Sequence, residues 1–94
     1  MEIGRKAILV RITGRVQGVY FRAWTRSEAE KLGLKGWVRN EYDGSVTALI
    51  VGSDAAVSAM TQRFWEGPSE ARVSSVVAEK TEPGEAPAGF RIVG

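Results

Sequence analysis

No histidine and no cysteine occur anywhere in this 94-residue sequence, and those two gaps exclude a great deal of chemistry. Without His there is no Ser-His-Asp triad, no imidazole general base and no His-ligated zinc. Ser27, Ser53 and the Ser74-Ser75 pair therefore lack the partner that would make a serine nucleophilic. Without Cys there is no thiolate nucleophile, no disulfide framework and no iron–sulfur site. A metal would have to rest on carboxylate and carbonyl oxygens alone. The lack of Cys carries no information about redox compartment.

Long apolar runs are missing as well. After Met-Glu-Ile-Gly-Arg-Lys the stretch Ala7-Ile8-Leu9-Val10 is interrupted by Arg11. That is too short for a signal peptide or a membrane span, so the expectation is a soluble, cytoplasmic chain with no membrane partner. Charge of one sign is not in excess either. Thirteen Lys+Arg against eleven Asp+Glu leave a net charge of +2. The pI of 9.3 reflects how few groups titrate between carboxylates and lysines, not a basic surface. No nucleic-acid partner is expected from such a balance.

What is present is the composition of a folded protein: 44% hydrophobic and 26% charged, with three Trp, three Phe and two Tyr. The length fits one domain over residues 1–94, able to hide roughly 60–65% of its unfolded surface around one core. Ala7 to Thr13 alternates, with Ile8, Val10 and Ile12 on one face, and reads as a strand. From Phe21 the spacing of Phe21, Thr25, Ala29 and Leu32 is helical, and Gly33 supplies a C-cap. Gly36 to Arg39 is a second strand, Asn40 to Gly44 a hairpin turn, and Ser45 to Val51 a third strand. Gly52-Ser53-Asp54 offers an N-cap to a helix whose stripe is Val57, Met60 and Phe64 and which stops at Gly67-Pro68. Ala71 to Thr81 holds a fourth strand, Glu82 to Gly89 is a Pro/Gly-rich loop, and Phe90 to Val93 closes the chain as a short strand. Trp24, Trp37, Trp65, Phe64 and Phe90 read as core or helix-packing groups; Tyr20 could line a site entrance, but an aromatic at a helix start is more often a packing residue.

The order β-α-β-β-α-β with a short closing strand is the ferredoxin-like, split β-α-β arrangement. It is an α+β sandwich with a mostly antiparallel sheet and two helices on one face. Strands one and two are joined through a helix and run parallel. With strand three between them, their C-terminal ends lie on one sheet edge, roughly 10 Å apart. The loop after strand one and Asn40 after strand two would then flank one small site.

That loop, Gly14-Arg15-Val16-Gln17-Gly18-Val19-Tyr20-Phe21-Arg22, runs from strand to helix. Such a junction can aim several backbone N–H groups at one spot, with the positive end of the helix behind them, which suits an oxyanion. Arg22 near the first helical turn opposes the helix dipole, and a bound phosphate would account for it. The residues alone leave a plain connector as the commoner case, since glycine-bearing connectors abound and the segment matches neither the Walker nor the dinucleotide pattern. Asn40 alone is weaker still, because Asn before a turn usually serves backbone geometry.

Taken together, Gly14 to Arg22, Gly33-Leu34-Lys35-Gly36-Trp37-Val38-Arg39-Asn40 and Asp43-Gly44-Ser45-Val46 resemble acylphosphatase. The similarity continues through Ala71-Arg72-Val73 to Phe90-Arg91-Ile92 and so spans nearly the whole chain. The resemblance implies a ferredoxin-like hydrolase that cleaves the carboxyl–phosphate bond of small-molecule acyl phosphates, with no metal and no organic cofactor. Inorganic phosphate or sulfate would compete as an anion, and the chain would be a monomer. It also implies that the amides of Arg15, Val16, Gln17, Gly18, Val19, Tyr20 and Phe21 cradle the phosphate, that Arg22 binds it, and that Asn40 orients the attacking water. The chemistry agrees on its own terms, because a carboxylate leaving group needs no general acid and a loose phosphoryl transition state asks mainly for positioning and charge neutralisation.

Two other readings remain. RNA-recognition sheets display aromatics on their central strands, and Ala7–Thr13 and Ser45–Val51 carry none. A sensor domain of the same fold is the second, since fold does not fix function, but the presence of both Arg22 and Asn40 favours the enzyme.

Overall fold

Alternation along the chain sets the sheet. In this computed structural model, residues 5–84 and 87–94 are described. Strand β1 (Arg5–Arg15) buries Ile8, Val10 and Ile12 while Leu9, Arg11 and Thr13 point the other way. It is followed by α1 (Phe21–Lys31), β2 (Lys35–Asn40), β3 (Val46–Ser53), α2 (Asp54–Glu66), β4 (Arg72–Thr81) and β5 (Phe90–Ile92). The expected element order is present, with ends that differ by one or two residues. The proposed loop from Glu82 to Gly89 lies partly outside the described residues.

The sheet order is β4-β1-β3-β2-β5. Strand β3 pairs antiparallel with both β1 and β2, with Val10 opposite Ala48 and Val38 opposite that same Ala48. Strands β1 and β2 are thereby parallel and separated by one strand, as the sequence implied. Only β5 adds a parallel pair, against β2. Helix α1 covers β2 and β5, and α2 covers β4, β1 and β3. This is a ferredoxin-like α+β fold, and no described helix is long and apolar enough to cross a membrane.

The core lies between helices and sheet. Val10, Ile12, Val38, Val46, Ala48 and Ile50 meet Phe21, Ala29, Val57, Met60 and Phe64 there. Phe21 and Phe64 stack at 6.3 Å between centroids, which ties the start of α1 to the end of α2. Each buried Val, Ile, Met or Phe side chain among these contributes about 1.5–3 kcal/mol of transfer free energy. Two aromatics depart from the expected packing. Trp65 is half exposed because it follows Phe64 by 100° of helical turn and leaves the stripe of Val57, Met60 and Phe64. Trp37 is half-buried on the opposite face of the sheet, where the Arg39 guanidinium lies 4.7 Å above its ring.

One local feature turns β1 toward the site. The β1–β4 register shifts between Thr13 and Gly14. Gly14 has φ +123°, and a Cβ there would fall 2.2 Å from the Arg72 carbonyl oxygen, so only glycine fits this bulge.

Candidate active site

The two helices begin in opposite ways. Helix α2 has an ordinary start: Ser53 Oγ accepts from Ala56 N at 3.1 Å, and Asp54 places an acid in the first turn. Helix α1 has neither. Its N-cap residue, Tyr20, makes no side-chain capping bond, the first turn holds no acid, and Arg22 sits there instead. The first α-helical bond runs from Trp24 N to the Tyr20 carbonyl at 3.0 Å, so the amides of Phe21, Arg22 and Ala23 precede the helical ladder. A helix end left uncapped, with a cation added to its positive pole, is unfavourable until an anion arrives.

The loop before it is shaped to the same end. Val16 and Val19 are buried and pin the segment to the core, while Gly18 and Tyr20 adopt left-handed backbone at φ +74° and +64°. Left-handed residues set among right-handed ones turn successive N–H groups into one concavity. For Tyr20 the conformation costs about 1–3 kcal/mol, and it is the only non-glycine residue with positive φ among those described. Its ring is 83% exposed, which corrects the expectation of a packing residue: the left-handed backbone swings the side chain outward.

A cavity of about 430 Å³ opens over this loop. Val16, Gly18 and Tyr20 line it from the loop, Phe21, Arg22 and Ala23 from the first turn of α1, Asn40 from the end of β2, and Ile92 from β5. Arg22 is half-buried and takes part in no ion pair among the described residues. Asn40 Oδ1 is shielded from solvent and has no hydrogen-bond partner among the described residues. An acceptor in that state is costly, on the order of 1–3 kcal/mol, unless something donates to it. Arg22, the uncapped first turn of α1 and Asn40 thus line one space.

The side chains of three loop residues singled out from sequence do not line the cavity. Arg15 closes β1, paired with Arg72 in the ladder and exposed. Gln17 directs its side-chain amide to the β2–β3 hairpin, and Val19 packs into the core. The chain matches the acylphosphatase family model over residues 8–92, which include every one of these positions.

The chain belongs to the acylphosphatase family.

An acylphosphatase from Rhizobium meliloti (strain 1021) is 68% identical over 92 residues, covering 98% of this chain and 97% of that one. An acylphosphatase structure from Coxiella burnetii superposes with a TM-score of 0.91 at 37% identity, over 96% of this chain and 94% of that one. One from Bacillus subtilis gives 0.89 at 32% identity, over 94% and 98%. Against this family frame, the acids beside Asn40 need explanation, since a free carboxylate would repel a phosphate. Both are occupied. Glu41 accepts from Arg39 Nε at 2.8 Å, and the bonds from Arg39 and then Thr47 hold its carboxyl below the usual range. Asp43 accepts from the side chain and backbone of Ser45 and from Arg11, which lowers its pKa to about 2.

Proposed function

We propose that this acylphosphatase-family chain hydrolyses the carboxyl–phosphate bond of acyl phosphates, releasing a carboxylate and inorganic phosphate. The observation that carries the reading is the convergence of the uncapped α1 N-terminus, Arg22 and Asn40 on one cavity. The phosphoryl oxygens lie on the amides of the Arg15–Phe21 loop and the first helical turn, with the Arg22 guanidinium forked across two of them. As the P–O bond to the acyl group lengthens, these donors take up the charge on the phosphoryl oxygens.

Asn40 serves the nucleophile. Its Oδ1 accepts a hydrogen bond from a water and holds that water in line with the breaking bond. The water oxygen forms the new bond to phosphorus, and the acyl carboxylate departs with the electron pair of the old one. The water's proton passes to a phosphoryl oxygen, so the substrate is its own base and the product is protonated phosphate. No side chain has to ionise for this cycle, which agrees with a chain that has no histidine. The same reading makes the protein a cytoplasmic monomer that needs no metal or organic cofactor, binds no nucleic acid and is inhibited by inorganic phosphate or sulfate.

The test is hydrolysis of benzoyl phosphate with EDTA present throughout. Turnover undiminished by chelator is expected; no turnover above the spontaneous rate would contradict the assignment.

A further inference from the structure

Gln17 is the member of the proposed phosphate loop whose side chain hydrogen-bonds the β2–β3 hairpin. Its Nε2 donates to the Glu41 carbonyl at 2.8 Å and to the Ser45 carbonyl at 2.9 Å, 24 and 28 residues further along the chain. Both acceptors are carbonyls, so only the NH₂ end of the amide can serve them, and its two hydrogens are both used. The acceptors close the β2–β3 hairpin. Glu41 directly follows Asn40, and Ser45 N–H, Ser45 Oγ and the Asp43 carboxylate form the turn's internal network. Glu41 N donates to the Ser45 carbonyl at 2.9 Å, so one amide of Gln17 bonds the hairpin on both sides of its own closing bond.

The far end of this brace is rigid too. Gln17 lies between Val16 and Gly18, and Val16 and Val19 are buried at 1% and 4% exposure. Arg11 holds Asp43 from β1, and Arg39 holds Glu41 from β2. The loop that bears the phosphate and the turn that bears Asn40 are therefore locked in register by one side chain that touches neither phosphate nor water. We infer that Gln17 is a positioning residue for acyl phosphate hydrolysis: it fixes the distance between the phosphate cradle and Asn40. The inference rests on the function proposed above, and it assigns Gln17's side chain a role apart from the loop amides.

Such a role predicts a split between binding and turnover. The cradle amides and Arg22 remain without the Gln17 amide, so phosphate should bind nearly as before. The water held by Asn40 would drift off line, and misplacement near 1 Å costs up to about 10²-fold in rate. Gln17→Met keeps the length and packing of the side chain but cannot donate. We expect its kcat on benzoyl phosphate to fall at least about tenfold while the inhibition constant of inorganic phosphate changes less than about threefold. Gln17→Glu adds a second signature. Its ionised carboxylate faces two carbonyl oxygens and cannot donate, whereas the neutral acid can donate one bond. Its kcat relative to wild type should therefore rise as pH falls from about 7 toward the carboxyl pKa near 4.

Wild-type protein assayed alongside separates the two levels of the argument. An inactive wild type overturns the proposed function itself. Active wild type with Gln17→Met at wild-type kcat, or with a loss confined to KM and phosphate inhibition, overturns only the role of Gln17. Should Gln17→Met fail to fold, the pH ratio of Gln17→Glu decides alone: a ratio that rises toward low pH supports the brace, and a flat one overturns it.

Discussion

Arg22 and Asn40 differ in what they ask of the fold. A guanidinium at the first turn of a helix needs only the helix to place it, and its planar fork can engage two oxygens at once. Substituting Arg22→Ala removes the fork but leaves the loop amides, so both phosphate inhibition and turnover should weaken, the latter by about 10²–10³-fold, as for loss of one strong donor to a developing charge. Measured kcat/KM and the phosphate inhibition constant check this together; unchanged inhibition would show that Arg22 does not touch phosphate. Both residues were singled out by the resemblance of their two sequence blocks to acylphosphatase, since local chemistry alone favoured a plain connector around Arg22 and a turn role for Asn40. Gln17's contacts were not. Its partners lie 24 and 28 residues away, and no local spacing announces a hydrogen bond to a backbone carbonyl across two elements. Tyr20 was misread for a related reason: its exposure follows from a left-handed backbone that nothing in its identity requires.

Among the elements, the β2–β3 hairpin holds a carboxylate whose charge couples its stability to pH. Asp43 is held down to about 2 by Ser45 first and Arg11 after it, from an ordinary 3.8. A folded-state pKa below the unfolded one contributes stability above the unfolded value, and that stability is lost as pH falls through the folded value. The contribution should thus be nearly complete at about pH 5 and be lost as pH falls through about 2. Asp43→Asn lacks it, so wild type and variant should differ in urea unfolding at pH 5, and the difference should shrink as pH falls through about 2. A constant difference across that window would mean that the carboxylate's charge is not what the hairpin uses. The strands themselves were readable from alternation, and α2 from its cap and stripe, because those signals are local and periodic. Element ends shifted where pairing overrode local chemistry. Arg15, for instance, reads as loop after Gly14, yet its bond partner Arg72 on β4 draws it into β1.

On the scale of the whole molecule, the fold's task is to set side by side groups that the chain keeps 18 residues or more apart. Placing β3 between β1 and β2 brings the phosphate loop and Asn40 to one edge of the sheet. Helix α1 adds the open amides, and β5 adds Ile92 at the cavity wall. That topology followed from the element order once β3 was set between β1 and β2, whereas the brace between loop and hairpin depends on side-chain reach. The account divides labour between binding by Arg22 with the loop amides and water placement by Asn40. The most direct measurement is therefore Asn40→Ala, assayed for benzoyl phosphate turnover and for inorganic phosphate binding on the same preparation. The account predicts turnover at the spontaneous rate with phosphate still bound at near wild-type affinity; loss of both together, or retention of turnover, would contradict it.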